Sequence, residues 1–250
     1  MSLPHNHNHH EDVLHSYPHT PAVTAQRLCV RFGDHQVLDH VSFAIPQGAV
    51  SAIIGPNGSG KTTLARASLG LQTIQEGRIE LFGQTQKIAT ASIGYVPQYF
   101  QLDRSFPMTA TEFLHITARP TPSDLSSIWS RIGLSTQVAQ QLIGHLSGGQ
   151  LQRLLIGQAL LRKPDLLILD EPDANIDIAG ERQIEDILKE YTHQGGTVIL
   201  ISHDISFVAR AVQHVICLNN ALVCSGPPHE ALTQETLQRL FEHASLYHHH

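Results

Sequence analysis

The sequence predicts an α/β fold on a mostly parallel core sheet, with an N-terminal antiparallel β subdomain and a helical subdomain inserted midway. Three observations predict it. Short, continuous apolar runs at residues 49–54, 166–169 and 197–201 have the length and composition of strands buried on both faces, and helical stretches follow the first two. Two β-like runs, 27–32 and 37–43, flank a Gly33-Asp34 turn and read as an antiparallel pair. Between about residues 109 and 161 the texture turns helical, with breaks at Pro120, Pro122 and Gly144.

Taken in order, residues 1–21 are rich in His, Asn and Pro without helical or alternating apolar period, and are expected to be a disordered tail. The folded part is expected to begin near Val23. After the antiparallel pair, the run 49–54 leads through a Gly-rich turn into a helix at 61–69, which makes a strand-loop-helix unit. Runs 77–82 and 92–96 read as further strands. Beyond the helical insertion, 166–169 and 197–201 flank a charged helical stretch at 178–191, the pattern of a parallel βαβ crossover. A hairpin (215–218 and 222–224) and a helix from about 233 to 243 complete the chain.

Composition excludes several classes. The 250 residues are 41% hydrophobic with a mean hydropathy of -0.09, and no apolar run approaches the ~18–20 residues that span a bilayer. Lys and Arg number 16 against 22 Asp and Glu, for a net charge of -6, and without a long basic run nucleic acid is not expected as a partner. The three cysteines, Cys29, Cys217 and Cys224, form no CxxC pair, so neither a disulfide framework nor a zinc ribbon is expected. No charged n-region precedes an apolar h-region, and the chain reads as cytosolic.

Residues Gly55, Pro56, Asn57, Gly58, Ser59, Gly60, Lys61 and Thr62 fit the GxxxxGK[ST] phosphate loop, between a buried strand and a helix. Glycines let successive N–H groups turn inward around phosphates, the helix start adds its positive dipole end, and Lys61 supplies a full charge. Thr62 would ligate Mg²⁺ through its hydroxyl. The strand 166–169 runs into Asp170-Glu171-Pro172; Asp170 can reach Mg²⁺ through water while Glu171 faces the attacking water as general base. Ser147, Gly148, Gly149 and Gln150 open an amphipathic helix carrying Leu151, Leu154, Leu155 and Ala159, with Ser147 as N-cap. This second anion-binding helix start suggests a head-to-tail dimer, in which Ser147 and Gly149 of one chain close over ATP held by the other.

With these motifs in place, the sequence resembles the nucleotide-binding subunits of ABC transporters, from about Val23 to Pro228, on GPNGSGKT, LSGGQLQR, LLILDEP and Ser202-His203-Asp204. The resemblance implies the P-loop NTPase ABC ATPase fold over residues 22–232, with a helical subdomain at about 99–160 and a C-terminal helix and His-rich end at 233–250. It implies that ATP is bound by Phe32, as the adenine-stacking aromatic, by Gly55 to Thr63, Lys61 among them, by Gln98, Ser147 to Gln150 and Asp177. Mg²⁺ would be held by Thr62, Gln98 and Asp170. Glu171, His203 and Lys61 would be catalytic, His203 positioning the water. Asp173 and Ile176 stand where the family commonly has Thr and Leu, which places a departure beside the site.

The resemblance also implies partners: a second copy in an ATP sandwich, integral membrane permease subunits, and indirectly an extracytoplasmic metal-binding protein. The subunit would be peripheral, on the cytoplasmic face of the plasma membrane. The segment after Gln98 and the hairpin 217–227 are similar to the zinc and manganese importer branch, zinc especially; a manganese or iron importer, and a soluble ATPase of the Fe–S cluster assembly type, remain alternatives. Eighteen histidines, six of them among the first 20 residues and four in the last eight, suit Zn²⁺, Cu²⁺ or Ni²⁺ better than Mg²⁺, and are equally compatible with solvated tails or an added tag.

Overall fold

The computed structural model describes residues 20–86, 92–98, 100, 107–174 and 176–241. The His-rich segments, most of the expected N-terminal tail, the end of the expected C-terminal helix and the first residues after Gln98 lie outside the described residues. The chain divides into two compact units, residues 1–91 with 212–250, and residues 92–211.

The first unit opens with β1 (Val23–Phe32) and β2 (His35–Ile45), paired antiparallel from Val23↔Ile45 to Phe32↔His35. Leu28, Leu38, Phe43 and Ile45 are buried on this pair. β3 (Val50–Ile54) is buried at every residue, as expected for a strand covered on both faces. It feeds α1 (Lys61–Ser68). Then β4 (Glu76–Leu81) pairs antiparallel with β1, and the two-residue β5 (Gln84–Thr85) pairs with β4. Gly77 has φ +87, and a Cβ there would lie 2.3 Å from the Gln26 carbonyl oxygen, so β4 can approach β1 only with glycine at this position.

The second unit carries a parallel sheet in the order β8-β7-β6, from β6 (Ile93–Val96), β7 (Leu166–Asp170) and β8 (Thr197–Ile201). Between β6 and β7 come α2 (Ala110–Ala118), α3 (Pro122–Arg131), α4 (Thr136–Ala139) and α5 (Gly148–Leu160). Thr109, Thr121, Ser135 and Ser147 cap their N-termini by accepting a bond from a first-turn N–H, which stabilises each by about 1 kcal/mol. α6 (Ile178–His193) joins β7 to β8 and buries Ile184, Ile187, Leu188 and Tyr191, one face at helical spacing. The sequence reading missed α7 (Ile205–Ala211), whose Asp204 cap accepts from the N–H groups of Ser206 and Phe207.

The chain then returns to the first unit as the hairpin β9 (His214–Asn219) and β10 (Ala221–Gly226), followed by α8 (Pro228–Ala231) and α9 (Gln234–Phe241). β9 pairs parallel with β3, Ile54 opposite Cys217. One expectation is corrected here: Cys217 and Cys224 are joined in a disulfide. A register shift between Leu222 and Cys224 sets the two residues directly opposite each other on the hairpin, with Cα atoms 4.8 Å apart. That is within bridging distance, and the seven-residue spacing alone did not reveal it. Cys29 is free and buried.

His214, on β9, is 5% exposed and pairs through Nε2 with the Ser225 hydroxyl at 3.3 Å. Burial lowers its pKa from 6.5 to about 4. Since the folded chain resists a proton that the unfolded chain accepts, the neutral ring favours the fold fully above pH 6.5, and this contribution falls away as the pH drops from 6.5 to 4. By linkage the loss is about 3 kcal/mol. Urea midpoints measured between pH 7.5 and 4.5 are expected to fall less steeply in His214→Gln than in the parent; parallel curves would remove His214 as the cause.

Candidate nucleotide site

The phosphate loop lies wholly within the first unit. Gly58 and Gly60 adopt φ of +80 and +98, left-handed geometry that turns backbone N–H groups to the concave side of the loop. α1 begins on Gly60 with no side-chain cap, whereas α2 through α6 each begin on a Ser, Thr or Asp cap. The Lys61 ammonium is drawn back over the loop, donating to the carbonyls of Gly55 at 2.9 Å and Pro56 at 3.0 Å, and the residue is only 6% exposed. Buried Ser59 Oγ has no hydrogen-bond partner among the described residues. Asn57, Gly58 and Thr62 are exposed and Thr63 half-buried.

These features fit a polyphosphate and its magnesium: inward N–H groups, an uncapped helix start, a cation held in the loop, and the Thr62 hydroxyl at the mouth of the helix. The loop is braced from β9. The Asn220 N–H donates to the Ser59 carbonyl at 3.0 Å, and Asn220 itself turns the hairpin at φ 58. Phe32 stands at the end of β1 and is 51% exposed.

The second unit carries the acidic cluster. Asp170 ends β7 and is 3% exposed, and the Tyr95 hydroxyl donates to its Oδ2 at 3.2 Å. Glu171 has φ 48, an uncommon conformation for a residue with a side chain and one that recurs at functional sites. Its N–H donates to the Ile201 carbonyl at 2.8 Å, which fixes the turn to the end of β8. Gln98 donates through Nε2 to Glu171 Oε2, and His203 Nδ1 lies 3.5 Å from Glu171 Oε1. The structure therefore brings Gln98, Glu171 and His203 together, and gives Gln98 a carboxylate partner where the sequence suggested a metal.

Asp173, a departure from family wording, is 8% exposed and accepts from the Ser202 hydroxyl at 2.8 Å. Ser202 Oγ in turn accepts from the Asp204 N–H at 2.9 Å. Burial raises the Asp173 pKa, with the Ser202 bond acting against it. This pair anchors the turn that carries His203, a support that sequence reasoning missed, as it missed Tyr95. The sequence signal available was their position beside motifs already read, Tyr95 three residues before Gln98 and Asp173 two after Glu171.

A separate group forms where α5 and α6 begin. Ser147 Oγ accepts from the Gln150 N–H at 3.2 Å while Gln150 Oε1 accepts from the Ser147 N–H at 2.9 Å, the reciprocal capping box. A side chain at Gly149 would touch Ile176, whose Cγ2 is 3.5 Å from the Cβ position. Asp177 caps α6 by accepting from the Gly180 N–H at 2.9 Å. Burial lowers the Arg153 pKa, opposed by the nearby Asp177 charge.

A glycine cradle with a buried lysine, and a strand ending in two carboxylates with glutamine and histidine on the second, define the class of P-loop nucleoside triphosphatases. Within it the chain belongs to the ABC transporter family, whose model matches residues 38–174, more than half the chain, and it is an ATP-hydrolysing cassette. It is 40% identical to a "Probable metal transport system ATP-binding protein" of Chlamydia trachomatis, over 86% of this chain and 87% of that one. It is 37% identical to the "Zinc import ATP-binding protein ZnuC" of Cereibacter sphaeroides, over 89% of each. Among solved structures, cbiO1 of Clostridium perfringens, described as part of the ABC transporter complex cbiONQ, superposes with a TM-score of 0.76 at 26% identity, over 89% of this chain and 95% of that one. No helix among the described residues is long and apolar enough to cross a membrane.

Proposed function

We propose that this chain is the ATPase subunit of a transition-metal importer, with zinc as the transported ion. In this reading it works as a homodimer at the cytoplasmic face of two membrane permease subunits, served by an extracytoplasmic metal-binding protein. The observation that carries the catalytic part is the Glu171 carboxylate held between Gln98 and His203. Zinc rests on the relatives named for zinc import.

In the proposed cycle Phe32 stacks on the adenine, and the N–H groups of Gly58 to Thr63 surround the phosphates while Lys61 exchanges the loop carbonyls for phosphate oxygens. Thr62 and Asp170 would hold magnesium, Asp170 through water; bound there, the ion neutralises charge on the phosphates. Glu171 takes the proton of the attacking water, His203 orients that water and bonds the γ-phosphate, and Gln98 releases Glu171 when the site closes. Ser147, Gly148, Gly149, Gln150 and Asp177 of the second copy complete the sandwich. Ile178, apolar and 68% exposed beside Asp177, supports an interface there. Closure and reopening of the dimer is the motion delivered to the permease. A largely apolar groove of about 390 Å³ between α2, α3 and α4, with Leu125 and Trp129 in its wall, supports docking of a permease helix.

The test is ATP-driven uptake of Zn²⁺, Mn²⁺ and Fe²⁺ into vesicles carrying the assembled complex. Zinc accumulation that disappears with Glu171→Gln is expected. Uptake of manganese or iron alone would replace zinc as cargo, and ATP hydrolysis by the full complex without movement of any metal would remove the importer reading.

A further inference from the structure

Cys29, Asp39 and His40 meet on the antiparallel sheet of the first unit, and hydrolysis has no use for them. One ligand atom from each, the Cys29 sulfur, an Asp39 carboxylate oxygen and a His40 ring nitrogen, lies within 4.8 Å of the other two. Neighbouring residues on a strand ordinarily point to opposite faces, so Asp39 and His40 should diverge. A bulge prevents it. Leu28 pairs with Val41 and Val30 with Leu38, which leaves Cys29 alone opposite both Asp39 and His40. His40 takes φ 47 at this point. A left-handed conformation is uncommon for a residue with a side chain, and bulges recur where a strand re-aims side chains at a site.

The surroundings are those of a ligand set. The His40 N–H donates to Cys29 Sγ at 3.4 Å. Gln36 Nε2 donates to Asp39 Oδ1 at 2.6 Å and orients that carboxylate. His40 Nδ1 bonds Asp39 at 2.6 Å, and its Nε2 lies 3.8 Å from Glu76 Oε2, the carboxylate that Cys29's partner on β4 supplies. An imidazole that binds metal through one nitrogen is usually held at the other by such a carboxylate. Cys29 is 1% exposed while the Asp39 and His40 side chains are half exposed, so an ion would arrive from solvent and take the sulfur from above.

We propose that Cys29, Asp39 and His40 bind a divalent transition ion of the zinc type, with Gln36 and Glu76 orienting the ligands. One thiolate, one imidazole and one carboxylate leave a fourth position for water, a donor set that suits Zn²⁺ or Co²⁺ and not Mg²⁺ or Ca²⁺. Bonds of about 2.0–2.3 Å require ligand atoms roughly 3.3–3.8 Å apart, which side-chain rotation supplies from the present spacing. The site is independent of which ion the transporter moves.

Co²⁺ titration of the full chain separates this site from the His-rich ends, because only a cysteine thiolate gives a sulfur-to-cobalt charge-transfer band. The expected result is a band that saturates at one ion per chain, is displaced by Zn²⁺ and survives in Cys217→Ser/Cys224→Ser. It should vanish in Cys29→Ser and need at least ~10-fold more metal in His40→Asn, a replacement that tolerates the left-handed backbone. ATP binding by each variant reports that the fold is intact, and His40→Asn decides if Cys29→Ser fails to fold. The proposal is overturned if the parent chain shows no sulfur band, if the band is lost with Cys217 and Cys224, or if it keeps full affinity in either Cys29→Ser or His40→Asn.

Discussion

Glu171→Gln is expected to lower ATP turnover by about 10²–10⁴-fold, the range lost with a general base, while ATP binding stays within a few-fold of the parent. The amide has the size of the carboxylate and can sit at the same left-handed position, so the turn bonded to Ile201 should survive. What disappears is the ability to accept a proton, together with the negative charge that His203 faces at 3.5 Å. Phosphate release and equilibrium binding of ATP, measured on the same preparation, separate the two effects. Turnover within threefold of the parent would take Glu171 out of the role of base. A parallel loss of binding would instead show that the carboxylate is needed for ATP to bind at all.

Gly55→Ala should disable the phosphate loop. A Cβ on Gly55 would lie 2.0 Å from the Leu218 carbonyl oxygen and 2.7 Å from Ser59 Oγ. The first of these atoms is backbone of β9, tied to β3 through the Ile54–Cys217 pair, and cannot swing aside as a side chain would. Relief requires β9 or the loop to move. The cost is at or beyond the upper end of the ~1–3 kcal/mol found for overpacked sites, which is a drop in Tm of roughly 5 °C or more for a chain this long, and ATP affinity should fall at least ~10-fold with it. Gly58→Ala is the matched control. Its φ is +80 but nothing lies within 4 Å of the added carbon, so only the backbone penalty of about 1 kcal/mol applies. Equal Tm values for the two variants would refute the steric argument.

The residues legible in sequence were those whose chemistry depends on local spacing. The phosphate loop needs consecutive N–H groups, so its glycines and Lys61 must be contiguous, and the helix start at Ser147 is written in the three residues after the cap. Strands β3, β7 and β8 were legible because burial on both faces demands unbroken apolar runs. Tyr95 on Asp170, Asp173 on Ser202 and the Cys217–Cys224 bridge were not, since each joins residues from different elements or depends on a register shift. The seventh helix was missed for a similar reason: it is short, and its cap, Asp204, sits inside a motif already read for other chemistry.

The sequence by itself determined the class of fold and the family resemblance, because these follow from periodicity and from contiguous motifs, and through that resemblance it named the groups proposed to meet nucleotide. Tertiary structure alone decided that Gln98 and His203 converge on the Glu171 carboxylate, and that a bulge turns Asp39 and His40 together over Cys29. Both depend on strand register and on left-handed backbone at single residues. A one-residue shift in pairing changes which side chains share a face, and composition and spacing along the chain do not carry that information.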